Sequence, residues 1–338
     1  MKKVFGKALC FLLLVVCESS IYGQKVGSLP DRIPYRKGNK WGFCDRNKKI
    51  IIPVSFDDVR TFGETPVHLK IKVPDTLAWV KKGTKDYLIN RAGKLRSIEE
   101  VELPKKESMG ELPPMGMSLP ADDKTREIFR DPASKKFGLI YGRDTVLTAR
   151  FDYIYWDRHN ELYEVRAKLN GKWGILDVKP EKWKVEPSFD EIERLFEVQK
   201  NGVECNAYKV SNKGKVGVIV NNNLIIPTIY TDVFLPYSRN TSLICMSDKI
   251  GNTLYDIDGK KLTTEPYERL RIDAFYWFTL SPAQKNGKWG FINRDGKLVI
   301  PCKYDECDYF IRKITLCWVK YKGKRGLIDA KGTEYFED

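Results

Sequence analysis

Lys288-Trp289-Gly290-Phe291-Ile292-Asn293-Arg294-Asp295-Gly296-Lys297-Leu298-Val299-Ile300-Pro301, then Tyr304-Asp305, is the stretch that decides the fold. Its frame recurs upstream as Lys40-Trp41-Gly42-Phe43 with Ile52-Pro53 and Phe56-Asp57. It recurs again as Lys172-Trp173-Gly174-Ile175 with Glu186-Pro187 and Phe189-Asp190. Weaker copies are centred on Gly138, Gly217 and Gly326. Two further units, around Tyr87 and Thr253, keep the frame without the glycine. The glycine positions or their equivalents are 42, 87, 138, 174, 217, 253, 290 and 326, with a commonest spacing of 36 residues. A fixed period with insertions marks a repeat architecture.

Each part of the unit has a physical reading. Side chains alternate along a strand, so Trp289 and Phe291 share one apolar face. Gly290 lies on the other face without a Cβ, which marks close backbone approach, a bulge or a ring packed across it. Asn293-Arg294-Asp295-Gly296 has the residues of a type I turn closed by a left-handed glycine. Leu298-Val299-Ile300 is the return strand, and Pro301 cannot donate to a ladder, so it belongs at a sheet edge or bend. With the apolar strand that precedes each hairpin, a unit reads as three short strands. One unit cannot bury its apolar surface alone, but stacked units can. The expectation is an all-β tandem array of about eight three-stranded hairpin units. Three strands rather than a blade's usual four favour an open superhelical stack, with a closed propeller-like ring as the alternative. The atypical terminal units are expected to cap the array.

Gly-Lys-Trp-Gly-Phe-Ile-x-x-x-Gly-Lys-x-x-Ile-Pro-x-x-Tyr-Asp resembles the bacterial WG-repeat family, also called KWG repeats. The likeness is close at Trp41-Gly42, Trp173-Gly174 and Trp289-Gly290, and extends in weaker form over most of the chain. It implies a β-rich protein that mediates interactions, and it brings no catalytic residues.

The rest of the chain bounds location and chemistry. Lys2 and Lys3 precede an apolar run from Ala8 to Cys17, too short to span a bilayer and suited to a signal peptide. Residues 1–23 are expected to be cleaved after Gly23, and lipidation at Cys17 is the competing reading. The remaining organisation reads as two units over 24–103, a proline-rich linker or loop over 104–133 and six units over 134–338. No later segment is long and apolar enough for a transmembrane helix. The chain of 338 residues carries a net charge of +14. Export argues against nucleic acid as its counter-ion, and anionic envelope polymers suit it better. The six cysteines beyond the leader follow no disulfide spacing. A pair among Cys302, Cys307 and Cys317 would need adjacent units to bring them close; otherwise they are small core residues.

No catalytic, metal or cofactor constellation is expected. His68 and His159 have no companions at ligand spacing. Asp256-Ile257-Asp258-Gly259 looks like a fragment of a calcium loop but sits in the repeat's turn slot. Asp57-Asp58, Asp190-Glu191 and Asp305-Glu306 suggest the carboxylate pairs of a glycosidase, yet they recur at one repeat position, as turn or inter-unit contacts would. Aromatics beyond what the repeat needs occur at Tyr155, Trp156, Tyr276 and Trp277. They are the candidate binding residues, since exposed rings stack on sugars or anchor protein partners. The functional expectation is a non-catalytic secreted or envelope-associated protein binding a protein or an envelope polysaccharide. A carboxylate-based envelope glycosidase is the alternative.

Overall fold

The computed structural model describes residues 27–69, 71–98, 126–156, 164–195, 198–200, 203–236 and 242–338. The leader, Cys17 and His159 lie outside them. Among the described residues the fold is all-β, an array of small sheets with a 3₁₀ turn at Ile272–Tyr276 and no α-helix. None of the sheets closes into a barrel.

The unit around Trp289 shows the plan. Its sheet runs Arg269–Leu270, Leu280–Lys285, Lys288–Asn293, Leu298–Tyr304, with every neighbouring pair antiparallel. The two inner strands meet in a tight turn where Asn286 and Gly287 both have positive φ, the geometry that an Asn-Gly pair supplies. At the next turn the Asn293 side-chain oxygen accepts the Asp295 and Lys297 amides, and Gly296 closes the turn at φ 74°. After Tyr304 the chain passes Asp305 and crosses into the following sheet as its edge strand, Glu306–Cys307. The expected three strands are present, and in this and four other sheets a fourth joins them. The fourth is only two to four residues long and is contributed across the joint by the unit before, which is why its periodicity was invisible.

The signature glycine faces a bulge. Trp289 pairs with Tyr304 and Phe291 with Ile300, so the return strand carries two extra residues opposite Gly290. The same offset faces Gly42, Gly174 and Gly217. A Cβ on Gly290 would lie 2.4 Å from the Ile300 carbonyl oxygen. Where Tyr87 replaces the glycine, the return strand Leu95–Ser97 pairs in plain register without a bulge. The Ile-Pro step thus lies on the outer strand of the sheet, where a missing donor blunts the open edge.

Most sheets are buried on both faces by their neighbours. Trp289 and Phe291 pack on Cys317, Val319 and Ile328 of the next unit. The pattern repeats from unit to unit: Leu139 with Leu176, Ile175 with Ile219, Val218 with Ile244, and Leu254 with Ile292.

The last unit packs on the first. Leu316, Trp318 and Leu327 share a core with Ile33, Tyr35 and Cys44, and the Trp41 and Trp318 rings meet edge-on at 5.8 Å. The C-terminal strand Phe336–Glu337 pairs in parallel with Ile33–Lys37, taking the place that an edge strand fills elsewhere. Arg36, 2% exposed, bonds the Arg325 and Gly38 carbonyls and the Asp338 carboxylate. The expected capping role of the terminal units is thereby corrected, and an open stack ending at the two chain termini is replaced by one that runs on from unit eight into unit one. The reason is burial: the apolar face of unit eight would otherwise be left in water. Among the described residues, the joint without a shared core lies between units two and three. There Leu77, Trp79 and Leu88 are covered by Leu69, Val73 and Ile98 of their own unit, and Ile140 of unit three is only half-buried. Of the expected proline-rich segment 104–133, residues 104–125 lie outside the described residues, and Arg126–Arg130 is a strand.

Candidate functional site

The repeat's polar residues are used in holding units together. Asp57 accepts the Lys40 ammonium of its own unit at 2.5 Å and the Gly83 amide of the next unit's turn at 2.6 Å. Asp190 does the same with Lys172 and the Lys213 amide, and Asp305 with Lys288 and the Gly323 amide. In each case the lysine first, and the amide second, hold the carboxyl below the usual aspartate range. A group so committed is a poor proton donor, and the three stand at three different joints. Of the adjoining carboxylates, Asp58 is raised by burial but faces Arg325, and Glu306 pairs with Lys320. Neither Asp190 nor Asp305 is thus the raised acid that glycoside hydrolysis needs, and the raised Asp58 is engaged by Arg325. Asp256, the calcium-loop residue, accepts the Asp258 and Lys260 amides as a turn residue. Among the described residues no cluster of metal-ligand type is present. His68 contacts Asp86 at 3.1 Å and packs edge-on to Trp79. The six described cysteines are free thiols, five of them buried. Burial raises the pKa of Cys44, Cys245 and Cys307 to about 12, the behaviour of small core residues.

The residues that differ between units gather elsewhere. Successive sheets stack face to face in one orientation, so corresponding connections emerge on the same side. Tight turns such as Asn286-Gly287, together with the Lys–Asp contacts, line one rim. The long connections between edge strand and first inner strand line the other, among them 60–69, 271–279 and 308–315.

On that second rim, at the joint of units seven and eight, lies a cavity of about 560 Å³. Its apolar lining comes from Phe278, Leu280, Phe310, Ile311 and Ala330. Trp277 forms a wall, and the Arg312 guanidinium stands 3.4 Å from its ring centroid. Lys313 is at the mouth, 80% exposed and 3.5 Å from the equally open Asp75. Gly27 closes one side, its backbone laid against the Lys313 carbonyl. The volume is that of a small-molecule or side-chain pocket.

The four candidate aromatics divide. Tyr276 and Trp277 are exposed and form an edge-on pair 4.2 Å apart beside this cavity. Tyr155 is exposed in another unit, with Arg166 over its ring at 4.1 Å. Trp156 packs against the core between units three and four. The cavity itself was missed by sequence reasoning. Phe310, Ile311 and Arg312 look like unremarkable loop residues, and only stacking brings them to Trp277.

Two segments, 41–64 and 289–324, match the model of the WG containing repeat, so the chain carries repeats of this kind. No curated protein matches the chain in sequence. Among solved structures it is similar to PorZ, an essential bacterial surface component of the type-IX secretion system of Porphyromonas gingivalis. That likeness has 8% identity and a TM-score of 0.25, over 90% of this chain and 39% of PorZ. It is similar to dipeptidyl peptidase 4 of the same organism at 9% identity and TM-score 0.29, over 82% of this chain and 52% of that one. For Hsv2 of Kluyveromyces lactis the values are 10% and 0.22, over 77% and 93%. The chain thus spans about two fifths and one half of the first two.

Proposed function

We propose that this chain is a non-catalytic interaction protein that works outside the cytoplasm and binds a protein partner through its long-loop rim. One observation carries the reading. The residues that recur from unit to unit are spent on stacking, whereas residues peculiar to single units enclose an apolar cavity on the other side. The apolar run from Ala8 to Cys17 supports export to the periplasm, the outer-membrane surface or the exterior. A protein partner is favoured over a polysaccharide because sugar stacking needs open ring faces. Trp277 and Tyr155 carry arginines over theirs, and Trp156 is packed in the core.

The test is capture from the native envelope fraction with residues 24–338 as bait, read by mass spectrometry. The same bait carrying Tyr276→Ser and Trp277→Ser should lose its partner while keeping its melting temperature. A partner retained by that variant, and lost instead on changing Lys213 and Lys322 on the opposite rim, would overturn the assignment.

A further inference from the structure

We infer that the cavity between units seven and eight receives the free C-terminus of a partner polypeptide ending in apolar residues. The inference rests on the reading of the long-loop rim as the binding surface. It goes further by naming the chemistry that the rim recognises.

Three features of the cavity define its occupant. The floor of Phe278, Leu280, Phe310 and Ile311 accepts apolar side chains and offers them nothing polar. Two cations, Arg312 and Lys313, stand at the mouth, and Lys313 is paired with Asp75 in an open surface contact. Such a contact is weak and screened, so it yields to a better anion. The occupant is therefore apolar in its body and negative at the end that faces the mouth. Thr279 and Thr315 also line the cavity, and within the described chain neither hydroxyl makes a side-chain hydrogen bond. A hydrocarbon chain with a carboxylate would leave those hydroxyls unused. A polypeptide end has amide groups that match them, together with the carboxylate and the apolar side chains. Capture of a C-terminal carboxylate is an established way of reading a peptide end, and its charge-assisted bonds are stronger than neutral ones.

The experiment is fluorescence anisotropy with residues 24–338 and two fluorescein-labelled decapeptides ending in Leu-Phe, one a free acid and one a C-terminal amide. Unlabelled dodecanoate serves as a competitor. The acid should bind about tenfold or more tighter than the amide, the worth of one charge-assisted contact. Lys313→Glu lies on an open surface and should narrow that ratio without affecting folding. Thr279→Trp, also at an exposed position, places an indole in the mouth and should abolish binding of both peptides. Equal affinity for acid and amide, or binding untouched by Thr279→Trp, would refute the inference. So would binding of dodecanoate, measured directly by calorimetry, with no binding of either peptide, which would make this a lipid site. If Thr279→Trp leaves envelope-partner capture intact while Tyr276→Ser with Trp277→Ser abolishes it, the rim remains the binding surface and only the cavity's role falls.

Discussion

Phe336 and Gly326 hold the chain ends together in a way that two substitutions can take apart. The Phe336 ring lies directly across Gly326, where an added Cβ would come within 2.3 Å of the ring carbon Cδ1. The ring is 8% exposed, packs near Tyr321 at 6.0 Å and lies under the Arg36 guanidinium at 5.3 Å. Phe336→Ala removes this burial and leaves a gap in the core that Phe336 shares with Trp289, Phe291, Cys317 and Ile328. Truncating a buried phenylalanine typically costs ~3–5 kcal/mol. The lower end applies here, because the ring is not fully buried. Gly326→Ala alone forces the ring aside, an overpacking cost of ~1–3 kcal/mol.

In the double variant the obstructing ring is gone, so the alanine fits. The combined loss should fall short of the sum by ~1–2 kcal/mol, the size expected of residues in direct contact. Urea unfolding of the four proteins measures this, and hydrogen exchange at Ile33–Lys37 reports whether the end strand stays paired. The control is Gly290, whose Cβ would meet the Ile300 carbonyl oxygen, which is backbone and stays in place. Gly290→Ala should therefore be additive with Phe336→Ala. Strict additivity of Gly326→Ala with Phe336→Ala, or coupling of equal size at Gly290, would refute the packing argument.

Gly290→Ala by itself should cost ~1–3 kcal/mol in the same urea titration, and Tyr87→Ala, at the equivalent site without a bulge, should show no such clash. Asp57, Asp190 and Asp305 have native pKa values below the ordinary 3.8. Their stabilisation is present above that value and is lost as pH falls through the lowered native values. A pH series of melting temperatures should therefore drop below about pH 4, and replacing the three aspartates with asparagine should flatten the drop. Native protein at pH 8 should react with a thiol reagent at Cys302 alone, the one partly exposed thiol, and at all six described cysteines once unfolded. Rapid native labelling of Cys317 would contradict its burial.

How much of this fold was legible in the sequence follows from which constraints are local. Trp289-Gly290, the Asn293–Gly296 turn and Pro301 each act within one sheet, so their spacing could be read without a structure. The glycine's partner was legible too: the bulge explains Gly290, and the ring packed across the glycine appears at Gly326, supplied by Phe336. What could not be read were contacts between units. The edge strands are too short to show a period, so a four-stranded sheet looked three-stranded and the stack looked open. The meeting of Trp318 with Trp41 depends on residues 277 positions apart in sequence, and nothing local to either announces it. The candidate site follows the same rule. Tyr276 and Trp277 stood out because they exceeded what a repeat needs, but the cavity beside them is made by loops of two units, and its floor is visible only once those units stack. In an array of this kind the sequence period describes the packing chemistry. Binding chemistry arises at joints between unlike loops, which is where a repeat-based reading has least to say.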